Sequence, residues 1–167
     1  MQSELVEVLD KNKKFIKAER VHECHENGLW HRSVGVFIFN EKKELLLQKR
    51  NQNMYVSPGR YCCSASGHVS YGENIEYSAY KELKEELGIE TKLNLVTEDI
   101  LEKFNQRKIK LRHFFSLFKG YHEGPFDIQK SELNSVNFFG IAEIKEMLKN
   151  NPHLFTTAFK LSFEILS

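Results

Sequence analysis

The chain is short of the features that mark specialised protein classes. Of its 167 residues only three are cysteine, three proline and one tryptophan. Cys24, Cys62 and Cys63 form an odd set, which fits reduced thiols in the cytoplasm better than a disulfide framework. No run approaches the roughly 18 consecutive apolar residues of a membrane span, so no membrane partner is expected. The opening MQSELVEVLDKNKKF carries acidic residues and lacks an apolar core, unlike a signal peptide. A net charge of +1 without a long basic run excludes the electrostatic footprint of a nucleic-acid binder. Repeats, low-complexity tracts and linkers are also missing. The length fits one domain over 1–167 with a real core, working as a monomer or a homodimer.

What the chain does have is carboxylates at fixed spacing. Residues 67–89, GHVSYGENIEYSAYKELKEELGI, set out Gly67, Glu73, Glu82, Leu83, Glu85, Glu86, Gly88 and Ile89. Residues 75–87 read as a helix, with neither Pro nor Gly inside and Gly88 as its stop. At about 100° per residue, Glu82, Glu85 and Glu86 share a face. Ala79, Tyr80, Leu83 and Leu87 cluster on another side, toward the core. Three carboxylates so close raise one another's pKa unless a cation sits among them. Mg²⁺, a hard ion that takes oxygen ligands and is shared with substrate phosphates, suits them, with Mn²⁺ as a substitute. KELKEE alone would read as a solvated helix face. Gly67 and Glu73 upstream decide for the metal.

Around this helix the chain alternates between strand and helix signals. Residues 4–9 and 15–20 read as a hairpin with its turn at 10–13, and 33–40 and 44–49 as buried strands. Residues 51–60 form a polar loop punctuated by Pro58-Gly59. Further strands are expected over 93–101, 109–120 and 136–139, and a helix over 141–149. Pro152 opens a last amphipathic helix through 166, with Leu154, Phe155, Phe159, Leu161 and Phe163 as core. This order predicts an α/β (α+β) fold, a sandwich with a mixed sheet.

The spacing over 67–89 resembles the Nudix box, G-x5-E-x7-R-E-U-x-E-E-x-G-U with U aliphatic. Every defined position matches except the arginine, which is Lys81. The six Gly and Glu matches would arise by chance at on the order of 10⁻⁷ per start, at about 7% usage each. The resemblance implies an α/β/α sandwich with a central mixed β-sheet and hydrolysis of a diphosphate bond in a nucleoside diphosphate derivative or related small molecule. It implies a Mg²⁺ set of Glu82, Glu85, Glu86 and Gly67, with Glu73 orienting the loop and Lys81 pairing with a box glutamate. Glu85 is the expected proton acceptor and Glu132, from a loop outside the box, the second candidate. Arg50, Lys49 and Arg112 are the candidates for holding substrate phosphates.

Trp30-His31-Arg32, LLLQKR, Pro58-Gly59 and SASGH extend the resemblance to the branch that holds type I isopentenyl-diphosphate isomerases and related hydrolase-like proteins. The isomerase pattern has a catalytic cysteine where this chain has Ser66, a far weaker acid. Its two downstream carboxylates fall on Leu111 and His113, and a substrate-holding lysine on Met54. Isomerase is therefore the alternative, and a non-catalytic sensor of diphosphates the third reading. His22, Cys24, His25 and His31 lie close in sequence. His25, His31, His68 and His113 are candidates for a second metal site that would suit Zn²⁺. Cys62-Cys63 reads as structural.

Overall fold

The structure is a computed structural model and describes residues 4–166. The Asp10 carboxylate accepts from the N–H groups of Asn12 and Lys14 at 2.8 and 2.9 Å, a turn that its short acceptor side chain favours. It joins β1 (Leu5–Leu9) to β2 (Phe15–Arg20) as the expected antiparallel hairpin. The chain then makes α1 (Val21–Asn27), a short helix that no periodicity announced. It ends at Gly28 with φ +63°, a left-handed position that glycine adopts without strain.

The continuous apolar runs become β3 (His31–Phe39) and β4 (Leu45–Arg50), followed by the short β5 (Tyr61–Cys62) and β6 (Ala65–His68). The box helix is α2 (Ile75–Leu87), at the expected bounds. Next come β7 (Asn94–Gln106), β8 (Ile109–Tyr121), β9 (Leu133–Phe139), α3 (Ile141–Asn150) and α4 (Thr157–Leu166). The main sheet runs β5-β4-β3-β8-β7, with β6 also paired to β3 and β9 to β4. β3 and β8 are parallel and their neighbours antiparallel, so the sheet is mixed.

One apolar cluster packs α2 on the sheet through Val34, Val36, Ile38, Leu46, Ala79, Leu83 and Leu87. A second packs the other face under α3 and α4 through Phe37, Leu45, Leu47, Ile144, Phe155 and Phe159. This is the expected α/β/α sandwich.

Three boundaries differ from expectation. β7 runs on to Gln106 because it pairs with β8 to the hairpin end, where Gln106 faces Ile109. β9 begins at Leu133, three residues earlier than expected, because its pairing with β4 runs on across a bulge to Arg50. Pro152 opens only a 3₁₀ turn, Pro152–Leu154, and α4 starts at Thr157, whose neighbour Thr156 accepts the Phe159 N–H through its hydroxyl at 3.2 Å. Leu154 accordingly lies exposed, while Phe155, Phe159 and Phe163 are core.

Candidate functional site

Its two ends fix α2. The Asn74 side chain accepts the Tyr77 N–H at 2.8 Å, and Gly88 stops the helix at φ +67°. Just before it, Glu73 accepts from the Ser70 N–H at 3.2 Å and the Ser78 hydroxyl at 3.0 Å. The Lys81 ammonium reaches both Glu73 oxygens, at 2.9 and 3.0 Å. Burial works against an ionised Glu73, but its bonds to Lys81 and Ser78 outweigh burial and hold its carboxyl below the usual range. Lys81 thus staples the loop to the helix, and its charge is turned toward Glu73.

Glu82 and Glu86, one turn apart, descend into a floor made by β6. A Cβ at Gly67 would overlap the Glu82 carboxylate, so only glycine leaves it this berth. Glu86 accepts the Ser66 N–H at 2.7 Å and the Gln48 amide at 3.3 Å. The loop ahead of β9 docks on the end of α2, the Gln129 N–H donating to the Glu86 carbonyl at 3.0 Å. That loop brings the half-buried Glu132 close enough for its charge to oppose ionisation of both Glu86 and Glu82. Burial, then the charge of Glu85, pushes Glu82 up to about 8. Burial, then Glu82, pushes Glu86 well above the usual carboxylate range. Converging oxygen donors that resist ionising together fit a hard divalent ion such as Mg²⁺. Glu85 differs from its two neighbours. It is exposed, on the wall of an open groove of about 600 Å³ with Tyr77, Tyr80 and Lys84, and only its charge reaches Glu82.

The raised carboxyls make a prediction about stability. A carboxyl with a raised pKa in the folded state favours folding while protonated. Its contribution is present below its ordinary value of 4.5 and is lost as pH rises through about 8. Chelator-treated protein is expected to lose thermal stability over that interval. Mg²⁺ should then restore more at about pH 8 than at about pH 6, where protons compete for Glu82. Calorimetry with and without Mg²⁺ checks this, and equal Mg²⁺ increments at the two values would place the ion elsewhere.

The second candidate set comes together through sheet register. β3 and β8 pair His31 with His113 directly, and β3 and β6 pair Ser33 with His68, two residues along the same face as His31. α1 packs on the same end and adds His25. The four imidazoles offer ligand atoms that all lie within 4.8 Å of one another. Both ring nitrogens of His25, and Nε2 of His31 and of His113, are buried without a hydrogen-bond partner. Outside the cluster, His31 Nδ1 lies 2.9 Å from the Leu29 carbonyl and His113 Nδ1 lies 2.8 Å from Glu102 Oε1. Burial first, then the charge of His113, brings His25 down to about 4. Burial likewise holds His31 and His68 well below the usual histidine range. Neutral rings with orphaned nitrogens facing one another, anchored from behind by oxygen acceptors, fit a borderline transition ion such as Zn²⁺.

The candidate phosphate ligands divide. Arg50 lies on the site side and ties down the 51–60 loop, Nε donating to the Val56 carbonyl at 2.9 Å. Lys49 follows Gln48 on the strand and so faces the other side, over the Tyr61 ring at 5.6 Å. Arg112 alternates with His113 on β8 and bonds Asn105 and the Leu111 carbonyl at 3.0 and 2.7 Å. Lys49 thus lies on the opposite sheet face from α2, whereas Arg112 shares the face of Phe118, which packs with α2. Glu102, Gln48 and Glu4 were not anticipated. Glu102 faces His113 across the β7–β8 ladder, a register that the sequence does not display. The structure also brings Cys62 Sγ to 3.8 Å from Ser66 Oγ, and Thr156 Oγ1 donates to the same sulfur at 3.4 Å. A hydrogen bond from Cys63, against the effect of burial and helped by Arg50, lowers the Cys62 thiol to about 6.

The NUDIX domain family matches residues 29–159. A relative named isopentenyl-diphosphate Delta-isomerase 2, from Photorhabdus laumondii, is 27% identical over 157 residues, covering 94% of this chain and 89% of its own. An uncharacterised Nudix hydrolase of Clostridium acetobutylicum is 29% identical, covering 90% of this chain and 76% of its own. The crystal structure of a MutT NUDIX hydrolase from Burkholderia pseudomallei superposes with a TM-score of 0.66 at 17% identity, covering 83% of this chain and 98% of that one.

Proposed function

Because the chain belongs to the NUDIX domain family, we propose that it hydrolyses a diphosphate bond in a small organic diphosphate, such as a nucleoside diphosphate linked to a second group. The observation that carries this reading is the carboxylate floor of Glu82 and Glu86 under Gly67, with Glu132 beside them. Mg²⁺ bound there would neutralise phosphate oxygens and lower the pKa of a water. The chain's own part is to hold that floor in place. The Ser66 N–H and Gln48 amide fix Glu86, and the Lys81–Glu73 staple fixes the loop that joins β6, which carries Gly67, to α2. Glu132 is the best-placed proton acceptor. It is half-buried, comes from outside the box and its charge acts on both Glu82 and Glu86. Glu85, on the groove wall, is the second candidate for that role. Lysine at position 81 lacks the fork of an arginine, so the loop is held at a single point charge.

The four-histidine cluster is the proposed resident site of a transition ion, distinct in donor chemistry from the carboxylate floor. The isomerase reading keeps one specific support besides the 27% identity to a protein of that name. A thiol lowered to about 6 stands beside Ser66, the position where the isomerase pattern needs its cysteine. Against it stand Leu111 and His113 where that pattern has carboxylates. The test is a panel of nucleoside diphosphate sugars, dinucleotides, deoxynucleotides and prenyl diphosphates incubated with Mg²⁺ and read by mass spectrometry. Cleavage at a diphosphate bond supports the hydrolase. A product of unchanged mass with altered retention supports the isomerase. Binding without turnover across the panel leaves a sensor.

A further inference from the structure

The transition-ion centre, on the reading above, has an electrostatic deficit. Four neutral imidazoles around a divalent cation leave two positive charges in a buried place. Glu102, itself 4% exposed, answers one of them through His113 Nδ1. A second carboxylate is aimed at the same cluster from the opposite end of the fold. Glu4 Oε1 lies 3.7 Å from His68 Nδ1, with both side chains 20% exposed. Its other oxygen accepts the Ser70 hydroxyl at 2.5 Å. Backbone contacts fix it there: the Tyr71 N–H donates to the Leu5 carbonyl at 2.8 Å, the Val21 N–H donates to the Glu4 carbonyl at 2.9 Å, and Val6 bridges to Ser70. The hairpin is thus laid along the segment that follows His68, with the Glu4 carboxylate turned back to that ring.

We propose that Glu4 is a positioning residue for this centre: its carboxylate pairs by charge with His68 from the Nδ1 side at 3.7 Å, where Glu102 and the Leu29 carbonyl hydrogen-bond His113 and His31, so that Nε2 of each ring faces the ion. The pattern of three is the argument. In each case an oxygen lies outside the cluster on the Nδ1 side, and for His31 and His113 the opposite nitrogen is the buried orphan. Carboxylates in this place fix tautomer and ring orientation and raise the basicity of the ligating nitrogen. Glu4 and Glu102 together also balance the charge of a divalent ion on neutral rings. The charge of Glu4 also acts on Lys81 and Glu82.

The test titrates the purified full chain, stripped of metal, with Zn²⁺ alone and with Co²⁺ alone against a chromogenic chelator. Glu4→Gln is expected to weaken affinity about 10- to 100-fold, the range typical of lost outer carboxylates, and Glu102→Gln to do the same. Glu4→Asp should recover part of the loss. Ser70→Ala, which leaves the charge but frees the carboxylate, should fall between wild type and Glu4→Gln. The Co²⁺ absorption of Glu4→Gln should keep the wild-type coordination number, and its metal-free melting point should match wild type. Unchanged affinity in Glu4→Gln overturns the proposal. A changed coordination number also overturns it, by making Glu4 a direct ligand. If the wild type itself takes up neither ion, the histidine centre fails, and that outcome is distinct from the failure of Glu4 alone.

Discussion

Glu86→Gln is expected to cut diphosphate hydrolysis on the order of 10³-fold while making the metal-free protein more stable. Glu86 is buried, meets Glu82 and Glu132, and is held well above the usual carboxylate range by burial and by Glu82. Glutamine keeps its shape and can still accept the Ser66 N–H, and its amide can donate toward Glu132. Glutamine is neutral without taking up a proton, so the cost of keeping this buried carboxyl protonated, or of ionising it beside Glu82, disappears. If the relief is about 1 kcal/mol, the melting point of a chain this size rises about 2–4 °C. The same change removes an oxygen donor from the floor, and turnover should fall on the order of 10³-fold, as when a preorganised electrostatic group is lost. Steady-state kinetics beside thermal melting in chelator read both effects. A residue needed only for folding would show the opposite sign in the melt, so loss of activity with loss of stability would remove Glu86 from the site.

The second large effect concerns the histidine cluster. An ion held at about a thousandfold excess over its Kd stabilises the folded chain by about 4 kcal/mol. At about 2–4 °C per kcal/mol, stripping it should lower the melting point by roughly 8–16 °C. Restoring Zn²⁺ should recover the whole increment. His68→Ala is the informative variant, because His68 is the half-buried member and its loss leaves the smallest packing defect. Its melting point is expected to stand near that of stripped wild type and to ignore added Zn²⁺. Identical melts of wild type before and after chelation, with no response to Zn²⁺, would leave the cluster without an ion.

Much of this molecule was legible in local pattern. The bounds of α2 followed from Gly88 and an uninterrupted helical run, and the hairpin at β1–β2 followed from alternation about a polar turn. The mixed sandwich followed from the order of elements. What failed was whatever depends on pairing between distant strands. Lys49 reads as a phosphate ligand because it is cationic and follows Gln48, yet alternation along β4 turns it toward the Tyr61 ring, away from α2. Glu102 could not be read at all, since nothing local ties residue 102 to residue 113 before β7 and β8 are in register. α1 was hidden because seven residues with two histidines, a cysteine and two glutamates carry no clear period. The helix-face reading of Glu82, Glu85 and Glu86 was coarse in the same way. A shared face at 100° per residue does not distinguish the two carboxylates that descend beneath Gly67 from the one left on the rim.

The most direct measurement runs the reaction in ¹⁸O-labelled water and, in parallel, in heavy water, on whichever diphosphate the panel shows to be converted, with Glu86→Gln beside wild type. Hydrolysis at the carboxylate floor predicts one ¹⁸O in a phosphate-bearing product for each turnover, no deuterium in the organic group and on the order of 10³-fold less product from the variant. A product of unchanged mass in ¹⁸O-labelled water that gains deuterium in heavy water would contradict it, and would assign proton transfer on an intact diphosphate instead.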